Sequence, residues 1–240
     1  MHLSLNLIDI AVYAILLISI AAGFYQGLLA TMANTAGYFV ALLGARWFYP
    51  GMAMHVKQAG EVIPALLYYS ETADMLGSVD VFRTDVAGMT QLKLEHILQN
   101  VNLPHPLGEW FSQNVLGAVF AQDGISRLGD YLSRTIAETA VNTACFLIIF
   151  LGIYVVITLL VNLAHYVVKF PQFKALDGVL GGAVGLLRGG LLVYALFLVL
   201  PSILSIAPVQ MISTVVQESQ TAQMFYYHNF LFDMIRSYIG

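Results

Sequence analysis

Charge is what this 240-residue chain has least of: Asp, Glu, Lys and Arg together make up 10% of it, against 59% hydrophobic residues. Soluble domains carry about 25% charged residues, so there is too little polar surface here to cover a fold in water, and an integral membrane protein is expected. Bases are scarcer than acids, 10 against 14, and do not cluster into the footprint that nucleic acid requires, which removes nucleic acid from the expected partners. Cysteine occurs once, at Cys145. That excludes an intramolecular disulfide, and within an apolar run it reads as an inert buried thiol. The amino terminus also lacks the basic residues of a secretory signal: MHLSLNLID carries Asp9 and neither Lys nor Arg, so cleavage after SIAAG is not expected.

Signatures of catalysis are missing too. There is no Gly-x-Ser-x-Gly or Gly-Asp-Ser-Gly element for a serine nucleophile. Glu95-His96 is followed by Asn100 where a zinc-binding helix needs its second histidine, and His96 and His105 read as ordinary surface histidines. The glycines near Gly181 open an apolar helix and are not followed by the Gly-Lys-Ser/Thr of a nucleotide loop. No catalytic residue, cofactor site or metal site is assigned, and the chain is not expected to be an enzyme.

What the chain does contain is long apolar runs. A bilayer core about 30 Å thick needs roughly 20 apolar residues in helix, and four such runs occur as two pairs, about 7–24 with 28–48 and 140–165 with 179–206. Only GFYQG, Gly23 to Gly27, separates the first pair, which forces a tight antiparallel hairpin. In the second pair Pro171 interrupts the connection, with Lys169 and Lys174 facing water. The expected fold is an all-α integral membrane protein with four transmembrane helices in two hairpins, an extracytoplasmic amphipathic helical segment and an interfacial C-terminal helix. Residues 1–49 form the first hairpin, 50–135 the extramembrane segment, 136–207 the second hairpin and 208–240 an amphipathic tail.

The middle segment holds most of the acids and half of the bases, and its apolar residues recur at helical spacing. Leu94, Ile97, Leu98 and Val101 make one face. After Pro104 and Pro106, Leu107, Trp110, Phe111, Val115 and Val119 make a second. Ile125, Leu128, Leu132 and Ile136 line a third, with Asp123/Arg127, Asp130/Arg134 and Arg134/Glu138 at i,i+4, and that helix is expected to run into the third span. These faces suit either the packing of a small cap or a helix in the headgroup layer with Trp110 at the interface. The tail stretch MFYYHNFLF, Met224 to Phe232, resembles an interfacial aromatic belt. Orientation follows from the short basic connection at Lys169 and Lys174, expected to be cytoplasmic, which places both termini outside.

Small residues carry the most information. Lipid supplies no apolar force between helices, so association depends on close backbone approach, and small residues four apart provide it. Gly181, Gly185 and Gly189 are spaced this way, with Gly178 and Gly182 as a parallel ridge. Ala33, Gly37 and Ala41 repeat the device in the second span, and Gly23 and Gly27 do so at the hairpin. The glycine ridge is expected to face another helix, with the Ala33/Gly37/Ala41 face as its partner, either within the monomer or in a homo-oligomer. Asp177 flanks the start of the fourth helix, where a carboxylate suits the positive end of the dipole. Arg188 lies about 16 Å further on at 1.5 Å per residue. It reads as an interface anchor snorkelling to lipid phosphate, set against a transport or partner role. Asp9 is the other charge within a span.

Asp177-x-x-x-Gly181-x-x-x-Gly185-x-x-Arg188-Gly189, with Asn6-x-x-Asp9 opening the first span and Gly23-x-x-x-Gly27 closing it, resembles the colicin V production protein family. The resemblance takes in both span pairs and the tail around Ser219. It implies a multi-pass protein of the bacterial inner membrane, linked to colicin V production or export and to envelope homeostasis, without an established catalytic activity. An envelope or secretion protein is the partner it implies, alongside the lipid bilayer. The rival reading is a small-solute or ion transporter formed by an oligomer, for which Thr31, Asn34 and Thr35 supply a polar patch. Gly185→Leu is expected to disrupt assembly; unchanged folding and oligomer size of the detergent-solubilised variant would count against a packed ridge.

Overall fold

Helix α1 (Leu7–Gln26) begins where Asn6 leaves the chain extended and its backbone N–H donates to Oδ2 of Asp9, three residues on, at 3.2 Å, the acid-to-cap half of a capping box. The computed structural model describes residues 6–69, 72–101, 103–167, 176–206 and 216–235. The connection bearing Lys169, Pro171 and Lys174, on which the orientation argument rests, lies outside them, as does the first part of the tail.

The described residues are helical, with one isolated β-bridge, Asp85 to Arg127, and no strand. After α1 come α2 (Leu28–Gln58), the short α3 (Val62–Tyr69), α4 (Thr72–Met75) and α5 (Val79–Phe82), then α6 (Gln91–Leu98) and α7 (Leu107–Leu116). The 40-residue α8 (Leu128–Val167), α9 (Leu176–Phe197) and α10 (Leu200–Ile206) follow, and the tail holds helices Gln220–Tyr227 and Leu231–Ile235. Four helical stretches, Leu7–Gln26, Leu28–Gln58, Leu128–Leu163 and Leu176–Ser205, are long and apolar enough to cross a membrane. This is an all-α membrane protein. Two boundaries differ from the spacing-based expectation. Gly23 to Gln26 are helical, so the turn between the first two spans narrows to Gly27 alone, at φ 80°. And α2 continues through Pro50 to Gln58.

The chain divides into two units. The first is drawn from 1–49, 145–198 and 214–231, and the second from 50–144, 199–213 and 232–240.

Within the first unit, Tyr38 of α2 is fully buried and donates its hydroxyl to the Leu191 carbonyl of α9 at 2.6 Å. Its ring meets the edges of Phe150 and Tyr154 of α8 at 4.8 and 5.6 Å. Phe146, Phe150 and Tyr154 stack at i,i+4 along α8, and Tyr49 meets Phe146 at 5.9 Å. Each such aromatic pair adds about 0.5–1.5 kcal/mol beyond its burial. Gly37 and Gly44 let α2 settle on Ile157 and Ile153 of α8. Leu17, Ile18, Leu43, Leu159 and Leu163, all more than half exposed, supply the apolar surface that lipid requires. In the tail, Asn229 Nδ2 donates to the Tyr194 carbonyl at 2.8 Å, and Tyr194 contacts Phe225 and Phe230 at 4.9 and 5.4 Å. Part of the aromatic stretch is therefore packed on α9, while Met224 and Tyr227 remain exposed.

The second unit has a core of apolar side chains. Leu94, Leu107, Phe111, Val115, Leu128, Leu132 and Ile136, from the three apolar faces read in the sequence, are buried, and Tyr131 joins them. Trp110 is 8% exposed and meets Phe232 at 6.1 Å, so it packs inside this unit. Asn114 Nδ2 donates to Thr135 Oγ1 at 2.9 Å. Arg134 bonds Glu138 at 2.9 Å, Lys57 bonds the same carboxylate at 3.0 Å, and Asp123 lies 4.0 Å from Arg134. Of the pairs expected at i,i+4, Arg134/Glu138 forms, and Asp123 turns to Arg134 instead of Arg127. Gly129 admits the Phe82 ring of α5 against the start of α8, where a Cβ would overlap it. Gly129→Ala is expected to cost about 1–3 kcal/mol and to push α5 away, raising amide hydrogen exchange at Val79–Phe82 while Leu107–Leu116 stays protected. Exchange indistinguishable from the native chain would contradict this packing.

Candidate functional site

Glycine lacks the Cβ that keeps two helix backbones apart, and the first unit uses this where α1 meets α9. A Cβ on Gly181 would fall on the Gly23 carbonyl oxygen and 2.8 Å from the Gly27 carbonyl carbon. One on Gly185 would fall on the Ser19 carbonyl oxygen, one on Gly23 would meet the Gly181 carbonyl, and one on Gly189 would stand 2.8 Å from Ser19 Cβ. Every obstacle but the last is backbone, which no rotamer change can move. Gly178 accepts the Phe24 ring, 3.1 Å from its Cβ position, and Gly182 is looser, with its nearest neighbour 3.5 Å away on Ile20. The ridge of Gly181, Gly185 and Gly189 thus meets Ser19 and Gly23 of α1 and the turn residue Gly27, not the Ala33/Gly37/Ala41 face. Gly37 faces Ile157, and Ala41 is fully buried. The physical reason is that two glycine rows permit backbone contact, whereas a row with alanine methyl groups holds the backbones further apart.

Two carboxylates tie this seam to other helices. Asp177, in the first turn of α9, accepts the Leu28 N–H of α2 at 2.8 Å. It therefore supplies an N-terminal partner to a helix 149 residues away while also favouring its own dipole. Gly27 makes the approach possible, since a Cβ there would collide with the Asp177 carboxylate. Thr31 completes the turn, donating to the Gly27 carbonyl at 2.7 Å and the Gly23 carbonyl at 3.2 Å. Asp9 does the same at the other end of α1. It is 6% exposed, and its Oδ1 accepts Ser219 Oγ at 2.6 Å, the Thr221 N–H at 3.3 Å and Thr221 Oγ1. Ser219 in turn accepts the Ala222 N–H at 2.9 Å as N-cap of the tail helix. Asp9 therefore anchors the start of Gln220–Tyr227 from 210 residues away.

Arg188 lies near the midpoint of α9, with its Nε buried and unpartnered among the described residues. Asn34 donates its Nδ2 to Gln26 at 3.3 Å, but its Oδ1 and the Thr35 hydroxyl are likewise buried without partners. Cys145 is buried and forms no disulfide among the described residues. Among the described residues no group of three or more His, Cys, Asp or Glu side chains is placed to hold a metal ion, and His105 lies against Phe232 at 5.8 Å. The Asp9–Ser219–Thr221 cluster had no local sign in the sequence beyond the N-cap serine. A serine followed by helix formers at 219–222 marks a helix start, yet nothing there marks which acid it meets.

The protein-family model described as Colicin V production protein matches residues 8–85 and 111–229. The glycine seam, Asp9, Asp177, Ser219 and Thr221 all fall within the matched stretches. No curated protein and no solved structure matches the chain.

The seam predicts a ranked series. Gly23→Ala and Gly181→Ala meet backbone and are expected to cost about 3 kcal/mol or more. Gly182→Ala is expected to be near neutral, and Gly190→Ala, with nothing within 4 Å, to gain up to about 1 kcal/mol from helix propensity. Asp177→Ala should cost about 1 kcal/mol through the lost cap, with Asp177→Asn recovering part. Thermal unfolding in detergent gives the order, and equal midpoints for Gly181→Ala and Gly190→Ala would refute the backbone contact.

Proposed function

This chain belongs to the colicin V production protein family, and from that membership, with the geometry above, we propose that it serves colicin V production or export and envelope homeostasis as a non-enzymatic scaffold of the bacterial inner membrane. The observation that carries this reading is that both acids in the membrane-spanning part of the first unit, Asp9 and Asp177, are committed to holding other helices by their N-termini. A proton relay or a coupled ion site needs carboxylates left available within the spans. Here they are consumed in assembly. What such a frame offers a partner is a closely packed helix pair with an anchored tail in the first unit, and a separate apolar core in the second. The partner expected for it is an envelope or secretion protein, with self-association as a further mode, and the short basic connection at Lys169 and Lys174 supports termini outside the cytoplasm.

The test is made in a colicin V-producing strain from which the chain has been deleted. Release of colicin V is expected to fall on deletion, to return with the native chain, and to stay low with Asp9→Ala, whose released tail is read separately as increased protease cleavage between 206 and 235. Photocrosslinking from the exposed Leu92 or Leu116 in native membranes is expected to capture an envelope or secretion protein. Chain-dependent flux of a solute or ion into proteoliposomes would replace this reading with the transporter one.

A further inference from the structure

We propose that the first unit holds a binding site for a compact oxyanion, a carboxylate or phosphate group, built around Arg188 between α2, α8 and α9. The inference goes beyond the scaffold reading and does not depend on it.

The site emerges from helix register. Tyr38 marks a layer shared by three helices, since it donates to the Leu191 carbonyl of α9 and packs on Tyr154 of α8. Helix α9 runs in the same direction as α2: Asp177 meets Leu28 at one level and Leu191 meets Tyr38 at the next. Helix α8 runs the opposite way, because Tyr49 meets Phe146 while Tyr38 meets Tyr154. One turn from the Tyr38 layer towards Asp177 therefore leads to Asn34 and Thr35 on α2, to Arg188 on α9 and to Thr158 on α8. Eleven residues are close to three full turns, so Arg188 lies on the same stripe of α9 as Asp177, and one turn from Leu191. That stripe faces α2.

Each of these four residues has a buried polar atom with no partner among the described residues: Asn34 Oδ1, Thr35 Oγ1, Thr158 Oγ1 and Arg188 Nε. Asn34 and Thr35 are themselves 7% and 5% exposed. Buried polar groups in proteins are almost always satisfied, and a concentration of exceptions on one level calls for a group that satisfies them together. Within a span the demand is stronger, since no bulk water reaches the hydrocarbon layer. A guanidinium presents a planar fork of N–H donors that fits the two oxygens of a carboxylate or phosphate edge. The two threonine hydroxyls add rotatable donors beside it. Asn34 Oδ1 suits the remaining guanidinium N–H or a protonated ligand oxygen, because the amide nitrogen is already given to Gln26. The site has one positive charge and no carboxylate of its own, Asp177 being engaged by Leu28, so it selects for negative charge. The same chemistry is offered by a soluble anion and by the headgroup of an anionic phospholipid.

The full chain is purified in a phosphate-free maltoside detergent. One arm titrates inorganic phosphate or acetate against sodium chloride at matched ionic strength and reads the thermal midpoint. The other adds phosphatidylglycerol or phosphatidylcholine and counts retained lipid by native mass spectrometry. We expect saturable binding in at least one arm, beyond chloride or phosphatidylcholine, with the responding arm identifying the source. Arg188→Gln is expected to weaken that binding by about tenfold or more, Arg188→Lys by less because charge is kept without the fork, and Thr35→Val and Thr158→Val severalfold each. The proposal is overturned if no probe binds saturably to the native chain, which would leave the layer merely hydrated, or if binding is equal in the native chain and the variants. Should Arg188→Gln fail to fold, Thr35→Val and Thr158→Val decide alone.

Discussion

Backbone touching backbone, where Gly23 meets Gly181 and Ser19 meets Gly185, is the constraint from which the rest of the first unit follows. Between lipid-bathed helices there is no solvent to expel, so cohesion has to come from atoms brought within van der Waals range over a long line. The four-residue repeat on α9 and the Ser19/Gly23/Gly27 row of α1 and its turn provide such a line. The glycines cost helix propensity, about 1 kcal/mol each relative to alanine. Satisfied intrahelical hydrogen bonding in lipid offsets that cost, because an unwound segment has no water to turn to.

Close approach also brings helix termini within reach of side chains from distant sequence. With α1 drawn onto α9, Asp177 stands beside the single-residue turn at Gly27 and takes the first free N–H of α2. Asp9 likewise takes the start of the tail helix. Each acid sits in the first turn of its own helix, where the dipole already favours negative charge, and each supplies a partner that another helix end lacks. The buried carboxylate of Asp9 and the part-buried one of Asp177, costly to desolvate if isolated, are thereby stabilised by hydrogen bonds.

The second unit is held by different forces. Its core of Leu94, Leu107, Phe111, Leu128 and Leu132 is the product of amphipathic helices closing their apolar faces, and the Lys57–Glu138–Arg134 chain trims its edge. Partly exposed ion pairs of this kind, on side chains that still reach solvent, add about 1 kcal/mol apiece. Burial of apolar area is what shapes this part. Glycine and capping acids thus govern one unit and hydrophobic burial the other.

Four apolar stretches, the helical faces of the middle segment and the glycine ridge were all legible from residue order, because each is a periodicity within one helix and depends only on which side chains share a face. Membrane residence was legible from composition for the same reason: it sums over residues without asking where they lie. The partner of the ridge was not. Gly-x-x-x-Gly states that a backbone can approach, and both the Gly23/Gly27 row and the Ala33/Gly37/Ala41 row answered that description. Only the assembled helices decided between them, because the choice turns on how closely two particular backbones fit. The same holds for Asp177 reaching Leu28, for Asp9 reaching Ser219, and for the level to which helix register brings Arg188, Asn34, Thr35 and Thr158. These pairings join residues more than a hundred positions apart, or faces of three separate helices, and a local pattern contains no record of which distant surface will be pressed against it.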